Sequence, residues 1–450
     1  MQRRDLSRAL VASIAGAAVL PRPASAQTCS SPCYTQTAAE VALNITPTNL
    51  AYPPGYVDRY GTNTSPGVTD MSTAFSNAFQ VAGKSYAIGS PSTTFPGGCS
   101  VRWGATGIYF LSHPVNCTEI RGVVAYDETG GNASSVPQGI TIGHTGHGFD
   151  LSGSTELSFN NVTAGTSLGT VPKTLFFMAR ESSGAGAGYH RFNNIRTPEN
   201  CTFSNVFYSY GSEENIYFDC AIYNAQGGST CFNHNCSNTS GYASSFVTVA
   251  SGVQSNSVHR HIGGDYFNFG NSGSVNEVVF QLEGCANFSY RDGLWYCPNG
   301  LAYVRVVGTG ISSIFLTFDS IRGEPGSSAH PSYGVDVVST GTTGTTSHVF
   351  WTFNNVYSDS SGELLNFAPG AEIRNLTMRA SGGRVGKLLS VYNMSQSVVE
   401  HGTSLVTGQG GATVQSNFFV GSRSAITLSG TDSSNLFADT GLGRFGVSGD

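Results

Sequence analysis

From about residue 100 onward, short runs of alternating apolar and polar residues are broken by Gly, Asn, Asp and Ser. That punctuation predicts many short strands joined by tight turns. One local pattern recurs: an aromatic or other residue, then Asn or Asp, then any residue, then an apolar one. It appears at Phe159-Asn160-Asn161-Val162, Phe192-Asn193-Asn194-Ile195, Phe203-Ser204-Asn205-Val206 and Phe218-Asp219-Cys220-Ala221. It returns at Phe318-Asp319-Ser320-Ile321 and Phe353-Asn354-Asn355-Val356, and more weakly at Ile373-Arg374-Asn375-Leu376. Asp265, Asp292 and Asp319 are evenly placed (292 − 265 = 27, 319 − 292 = 27). Equal spacing of like residues predicts a solenoid of stacked coils, with aliphatic and aromatic side chains inward and Asn ladders at the turns. Uneven gaps elsewhere, such as the 33 residues from Asn161 to Asn194 (194 − 161 = 33), read as loops inserted at turns. A β-sandwich or propeller is the rival architecture, but neither accounts for the segment that precedes the strands.

In that segment, Asp70 can cap a helix whose Phe75, Ala78, Phe79 and Ala82 form an i, i+3, i+4, i+7 stripe before Gly83 stops it. One short amphipathic helix over about 70–82 would cover the open apolar end of the first coil. Residues 27–56 lack periodicity and read as an N-terminal arm, leaving 57–450 for the β-helix domain. The first 26 residues read as an export signal: Arg3-Arg4, an apolar run from Ala9 to Leu20, and Ala24-Ser25-Ala26 as a cleavage site. The twin arginines resemble those of bacterial twin-arginine signals; an ordinary secretory signal is the alternative. Either implies a secreted or periplasmic protein. No other stretch reaches about 18 uninterrupted apolar residues, so no membrane span is expected once the signal is removed.

Composition fits this picture. Charged residues are 11% of the chain, glycines number 57, and lysines occur only at 84, 173 and 387. A content of 39% hydrophobic and 11% aromatic residues is nevertheless that of a packed core. Removing residues 1–26 takes away four of the 22 basic residues and one of the 28 acidic ones. That leaves 18 − 27 = −9 in place of −6. Such a balance disfavours nucleic acid, which needs a basic footprint. The ten cysteines fit an oxidising destination and fall in close pairs: Cys29/Cys33, Cys99/Cys117, Cys201/Cys220, Cys231/Cys236 and Cys285/Cys297. Connectivity does not follow from spacing, and Cys231, His234 and Cys236 offer a zinc site as an alternative.

Val57-Asp58-Arg59-Tyr60-Gly61, then Gly67-Val68-Thr69-Asp70, then Ser72-Thr73-Ala74-Phe75 and Ala78 resemble the opening of the pectate-lyase superfamily. Val101-Arg102-Trp103 and Gly107-Ile108-Tyr109-Phe110-Leu111 resemble the strand that follows it there. Arg59 is an insertion relative to that pattern, Thr62 replaces the usual Ala, and Ala105 stands where Pro is expected. The match spans about 50 residues of cap and first coil. It implies an all-β, right-handed parallel β-helix with an N-terminal capping helix. It also implies a carbohydrate-active protein, a polysaccharide lyase or a glycoside hydrolase, whose partner is a polysaccharide or other glycan. The alternative is a non-catalytic, glycan-binding, adhesive or structural β-helix.

Hydrolases need two carboxyl groups flanking the bond, and lyases need a base with a cation to neutralise a uronate. The candidate stack is Asp265, Asp292 and Asp319 with His261 and Arg291 as catalytic residues, and Tyr290, Trp295 and Arg322 as substrate-binding ones. In a 27-residue register the three aspartates would lie about 5 Å apart on successive coils, close enough to shift a pKa or to bind Ca²⁺. The structural alternative makes them members of a turn ladder. Gly146-His147-Gly148 resembles a polygalacturonase motif but reads as a glycine-rich turn. His259 and His261 should share one side of a strand, as ladder members or a two-histidine metal site. Tyr296 and Trp351 are further aromatic candidates, for sugar stacking or for the core.

Overall fold

The computed structural model describes residues 33–87, 100–128, 139–237 and 242–447, apart from short breaks at 273, 275, 309–310, 325–328, 340–345, 385, 403, 422–424, 429 and 440–443. The proposed export signal, Cys29 and Cys99 lie outside the described residues. The chain is a right-handed parallel β-helix. Its strands stack in long parallel sheets, and among the described residues the one antiparallel strand pairing joins Leu436–Asp439 to Arg444–Val447 at the C-terminal end. No described helix is long and apolar enough to cross a membrane.

One column of residues gives the true register. Val124, Ser158, Arg191, Ile216, Arg260 and Ser289 follow one another across neighbouring strands. Thr317, Thr352, Thr377, Val398, Phe418 and Leu436 continue the same column. Two residues before each member, φ is positive: Gly122, Glu156, Tyr189, Glu214, Val258, Asn287, Phe315, Phe350, Asn375, Gln396, Ser416 and Ser434. Twelve coils therefore turn through a left-handed corner at the same place. Corner amides reach the next coil, as Phe315 N does to Val349 O (3.1 Å) and Phe350 N to Arg374 O (3.0 Å). A second column of left-handed corners closes the same short strand: Asn161, Asn194, Asp219, Gly263, Asp292, Ser320, Asn355 and Ala380.

Between the corners, alternation fixes what faces inward. Phe159, Phe192, Tyr217, His261, Tyr290, Phe318 and Phe353 are all buried in one interior column. Their rings stack through the coils, as in Phe159–Phe192 (5.8 Å, 8°) and Phe318–Phe353 (5.1 Å, 17°). Four of the recurring aromatic-Asn/Asp motifs thus occupy equivalent places. Phe218 sits one residue off register and points outward, while Asn205 opens a strand of a different sheet, Asn205–Tyr210.

The coil length varies, which overturns the 27-residue register. Arg260 to Ser289 is 29 residues and Ser289 to Thr317 is 28, so Asp265 stands opposite Leu294 and not opposite Asp292. Asp292 is itself a corner residue whose amide donates to Asp319 O (3.0 Å). The three aspartates occupy different columns.

The helix α2 spans Ser72–Ala87. Asp70 caps it, its Oδ1 accepting from Ser72 N (3.0 Å) and Ser72 Oγ (2.6 Å). Phe75 and Phe79 pack on Trp103, Tyr109, Phe149 and Phe159 and close the first coils. The helix does not stop at Gly83. A Cβ there would lie 2.3 Å from Ile120 Cβ, so this glycine permits close packing instead of ending the helix. The arm carries a short helix, α1 (Ala38–Ala42), with a capping box between Thr37 and Glu40. Arg59, the insertion in the family-like opening, is fully buried and grips Glu40 (2.6 and 3.0 Å) together with the carbonyls of Tyr52 and Thr35. Its place in the sequence is explained by pinning the arm to the cap.

Four of the five expected disulfide pairs are corrected; the fifth, Cys29/Cys33, is not, since Cys29 lies outside the described residues. Cys117, Cys201, Cys220, Cys231, Cys236, Cys285 and Cys297 are buried free thiols, while Cys33 is disulfide-bonded. Stacking brings cysteines together across coils, Cys231 towards Cys297 and Cys236 towards Cys285, and not along the sequence. No described group of three His, Cys, Asp or Glu side chains converges as a metal site.

Seven described histidines are buried, and five of them are wholly so: His190, His234, His259, His261 and His348. Burial pushes His190 and His259 down to about 3 and His348 to about 4, and it holds His234 and His261 well below the ordinary value. These groups are neutral when folded but take up protons below about 6.5 when unfolded. In that window the unfolded chain binds more protons, so stability must fall as pH falls. Buried Asp150 and Asp336, whose carboxyls burial pushes upward, act with the opposite sign but are fewer. The denaturant midpoint should therefore drop progressively from pH 7 to pH 4. A midpoint unchanged between pH 6.5 and pH 4.5 would contradict this reading.

Candidate functional site

The outward positions of the corner-flanked strand form the floor of a groove. Thr317, Thr352 and Thr377 lie in register and present a ladder of hydroxyls. Threonine suits this place because its branched side chain packs well on a pleated surface while its hydroxyl stays wet. Along one side runs the next outward column, Arg291, Asp319, Asn354 and Arg379, also in register. These residues and the threonines line a cleft of about 410 Å³. Along the other side run the corner residues Phe315, Phe350, Asn375 and Gln396, which line an adjoining cleft of about 390 Å³ over the same three threonines.

The two phenylalanines are unusual in two respects. They are 47% and 48% exposed, and both hold positive φ, +56° and +59°. A left-handed backbone costs an L-residue about 1 to 2 kcal/mol, and Asn or Gly would fill a corner more cheaply. The rings stack on one another at 5.0 Å and 7°, and neither has another described aromatic neighbour. They form a flat apolar surface beside a polar floor, the combination that holds a sugar by its C–H face and its hydroxyls.

The opposite wall is charged. Asp319 Oδ1 accepts from Asn354 Nδ2 (2.8 Å) and from Ser320 Oγ (3.2 Å). Arg291 and Arg379 are exposed and form no ion pair among the described residues. The wall therefore offers two free guanidiniums, one amide and one carboxylate to a ligand.

Of the residues expected from the sequence, Arg291 and Asp319 meet here in register. Asp265 and Arg322 lie beyond the second corner, in the column Ala221, Asp265, Leu294, Arg322 and Tyr357. Three expectations are corrected by burial. His261, Tyr290 and Trp295 are 0% exposed. His261 stacks on Tyr217 (4.2 Å, 5°) and approaches His234 Nε2 (3.3 Å). The Tyr290 hydroxyl donates within the core towards Gly264 O and Leu294 O, and Trp295 stacks on Tyr303. Each occupies an inward position of its strand, so none can touch a ligand in the groove. His259 shares the inner side with His261, as alternation implies, and its ring lies on His234 (4.0 Å). Trp351 is core, and the expected glycine-rich turn is only part of the Gly143–Gly148 segment: residues 144–146 bend, with Gly146 N donating to His144 Nδ1 (3.1 Å), while His147 and Gly148 open the buried strand His147–Asp150. Phe315, Phe350, Asn354 and Arg379 were not singled out from sequence as ligand contacts. The signal was present in Phe315 and Phe350, which precede Thr317 and Thr352 by two residues each.

Comparison by sequence finds no protein-family model and no curated protein that matches. Comparison by structure finds β-helical proteins at low identity. Tailspike protein 3 of bacteriophage CBA120 has 14% identity and a TM-score of 0.43, over 86% of this chain and 55% of the tailspike. This chain thus spans about half of that protein's length. The surface adhesin PfbA of Streptococcus pneumoniae has 12% identity and a TM-score of 0.39, over 87% of this chain and 99% of the adhesin. The A-module of the Azotobacter vinelandii mannuronan C-5 epimerase AlgE4 has 10% identity and a TM-score of 0.35, over 84% and 96%. At TM-scores below 0.5, these likenesses carry no argument about this chain.

If Phe315 and Phe350 are held at strained corners for a ligand, glycine at either place should relieve the backbone while removing the contact. Phe315→Gly and Phe350→Gly should leave the unfolding midpoint equal to wild type or above it. Loss of stability comparable to removing a core phenylalanine, about 3 kcal/mol or more, would show that the rings serve the fold.

Proposed function

We propose that this protein binds a glycan lengthwise along the outer face of its β-helix, over the threonine ladder and between the phenylalanine pair and the arginine wall. The observation that carries the reading is the exposed Phe315–Phe350 stack at left-handed corners beside Thr317, Thr352 and Thr377. The left-handed backbone is shared by the whole corner column; what sets these two corners apart is a pair of exposed rings stacked on one another beside a polar floor. The sugar faces would lie on the rings, with hydroxyls on the threonines, Asn354 and Asp319. Export through residues 1–26 would put such a surface outside the cytoplasm, with 27–56 as an arm and 57–450 as the β-helix.

A second reading, catalysis in the same groove, is favoured by one arrangement: Asp319 lies in register beside Arg291, with Arg379 two coils further on. A base next to a cation is what proton abstraction beside a uronate carboxylate requires. Hydrolysis with paired carboxyls is less well served, because Asp319 is the only acid among the residues lining the two clefts. A Ca²⁺ ion shared by Asp265, Asp292 and Asp319 has no support in their separate columns.

The mature protein should be tested against immobilised neutral and acidic polysaccharides, with absorbance of unsaturated uronates followed in the same samples. Binding should occur to at least one glycan and weaken about tenfold or more in Phe315→Ala and Phe350→Ala, the loss of one ring contact of roughly 1.4 kcal/mol or more. Arg291→Ala should weaken an acidic ligand more than a neutral one. Absorbance that appears with wild type and vanishes in Asp319→Asn would establish the second reading. Binding untouched by all three substitutions to alanine would remove the groove from consideration.

A further inference from the structure

Beyond the second corner, on the neighbouring face, another outward column runs along the coils. It begins with aromatic residues: Tyr223 lies over Phe267 (4.7 Å, 3°), and Tyr296 follows at 5.7 Å with its ring turned by 50°. In the succeeding coils the column continues as Glu324, Asp359 and Arg384. Glu324 N donates to Trp295 O, Gly323 lies against the Asp359 amide, and Arg384 N donates to Ser358 O. The apolar ladder thus ends in a charged cluster.

Within that cluster Asp359 is nearly buried, its side chain 4% exposed, and its Oδ2 stands 2.7 Å from His330 Nδ1. A carboxylate only accepts, so Nδ1 donates to Asp359, and the uncharged form of the ring then has its lone pair at Nε2. Nε2 makes no hydrogen bond among the described residues and is not among the buried polar atoms that lack a partner, so it meets solvent. Arg384, half-exposed, places its Nε 3.9 Å from the other Asp359 oxygen. A base aimed by a buried acid, with a cation beside it, is the arrangement that activates a nucleophile. No hydroxyl or thiol side chain is hydrogen-bonded to His330 among the described residues, which leaves water as the nucleophile.

We propose that His330, positioned by Asp359, is the general base of an ester hydrolase acting on O-acylated sugars. The sugar ring would rest on the Tyr296 end of the aromatic ladder. His330 Nε2 takes a proton from water as the water oxygen bonds to the acyl carbon, and the carbonyl π pair moves onto its oxygen. Arg384 faces that negative charge. Collapse restores the carbonyl and breaks the bond to the sugar oxygen, which receives the proton from Nε2. The ester and one water become a carboxylic acid and a free sugar hydroxyl, and the histidine ends neutral. This activity uses none of the groove residues and stands or falls apart from the glycan-binding reading.

The test uses the full mature chain with two probes, 4-nitrophenyl acetate and acetylated xylan, measuring nitrophenolate and released acetate. Wild type should hydrolyse both. His330→Ala should lower kcat by about 10²-fold or more, and added imidazole should restore part of it, which a purely structural role would not allow. Arg384→Ala, at a half-exposed position that leaves the fold intact, should lower kcat with KM little changed. Leu168→Ala, at a fully exposed position in neither site, should leave hydrolysis of 4-nitrophenyl acetate at the wild-type rate. The proposal is overturned if wild type releases acetate from neither probe. It is equally overturned if His330→Ala keeps the wild-type rate, or if imidazole helps that variant no more than it helps wild type.

Discussion

The structure depends on one backbone constraint: twelve described coils turn left-handed at one place, and eight of them turn so again where the same short strand ends. Parallel stacking gives corner amides a partner, the carbonyl of the next coil, as at Asn161 N to Asn193 O and Asp292 N to Asp319 O. A corner displaced by one residue would exchange the inner and outer faces of its strand. Where Asn, Asp or Gly occupies the corner, the conformation costs little. Where Phe, Val, Tyr or Glu occupies it, the stack of neighbouring coils holds the chain there.

That constraint creates both faces at once. Between corners only four residues fit, so two point in and two point out. The inward pair builds the ring stack from Phe159 to Phe353, into which neutral histidines are fitted as flat, half-polar rings. The outward pair makes continuous columns, and neighbouring columns make grooves. The threonine ladder, the arginine wall and the phenylalanine pair are therefore consequences of register. Residues far apart in sequence, such as Arg291 and Arg379, line one cleft because whole coils separate them.

Much of the architecture was legible in the sequence. The Phe-Asn motifs marked interior positions and adjacent corners, and the stripe Phe75, Ala78, Phe79 and Ala82 marked the cap. What failed was the assumption of constant coil length. Coils here run from 44 residues, Ile216 to Arg260, down to 18, Phe418 to Leu436, because loops enter at the turns. The coincidence of three aspartates 27 apart looked like a repeat and was not one. For the same reason His261, Tyr290 and Trp295 were placed outside when alternation counted from the true corners puts them inside. Asp319 and Arg291 share one outward column because Ser289 pairs with Thr317 in that coil; a role for them in binding or catalysis is part of the proposal. Cysteine pairs were misjudged on similar grounds, since stacking makes neighbours of residues a coil or more apart. The non-glycine corners were illegible, because nothing in the local sequence of Val258 or Phe315 demands positive φ.

The central claim is that the register of the corners builds a sugar-binding surface from Phe315, Phe350 and the threonines between the walls. The most direct measurement is a crystal structure of the mature protein with an oligosaccharide taken from whichever polysaccharide it retains. The account predicts a sugar ring against Phe315 or Phe350, with its hydroxyls on Thr317, Thr352 or Thr377 and the next residue of the ligand directed along the coil axis. An oligosaccharide ordered on another face, with the phenylalanine pair bare, would contradict it.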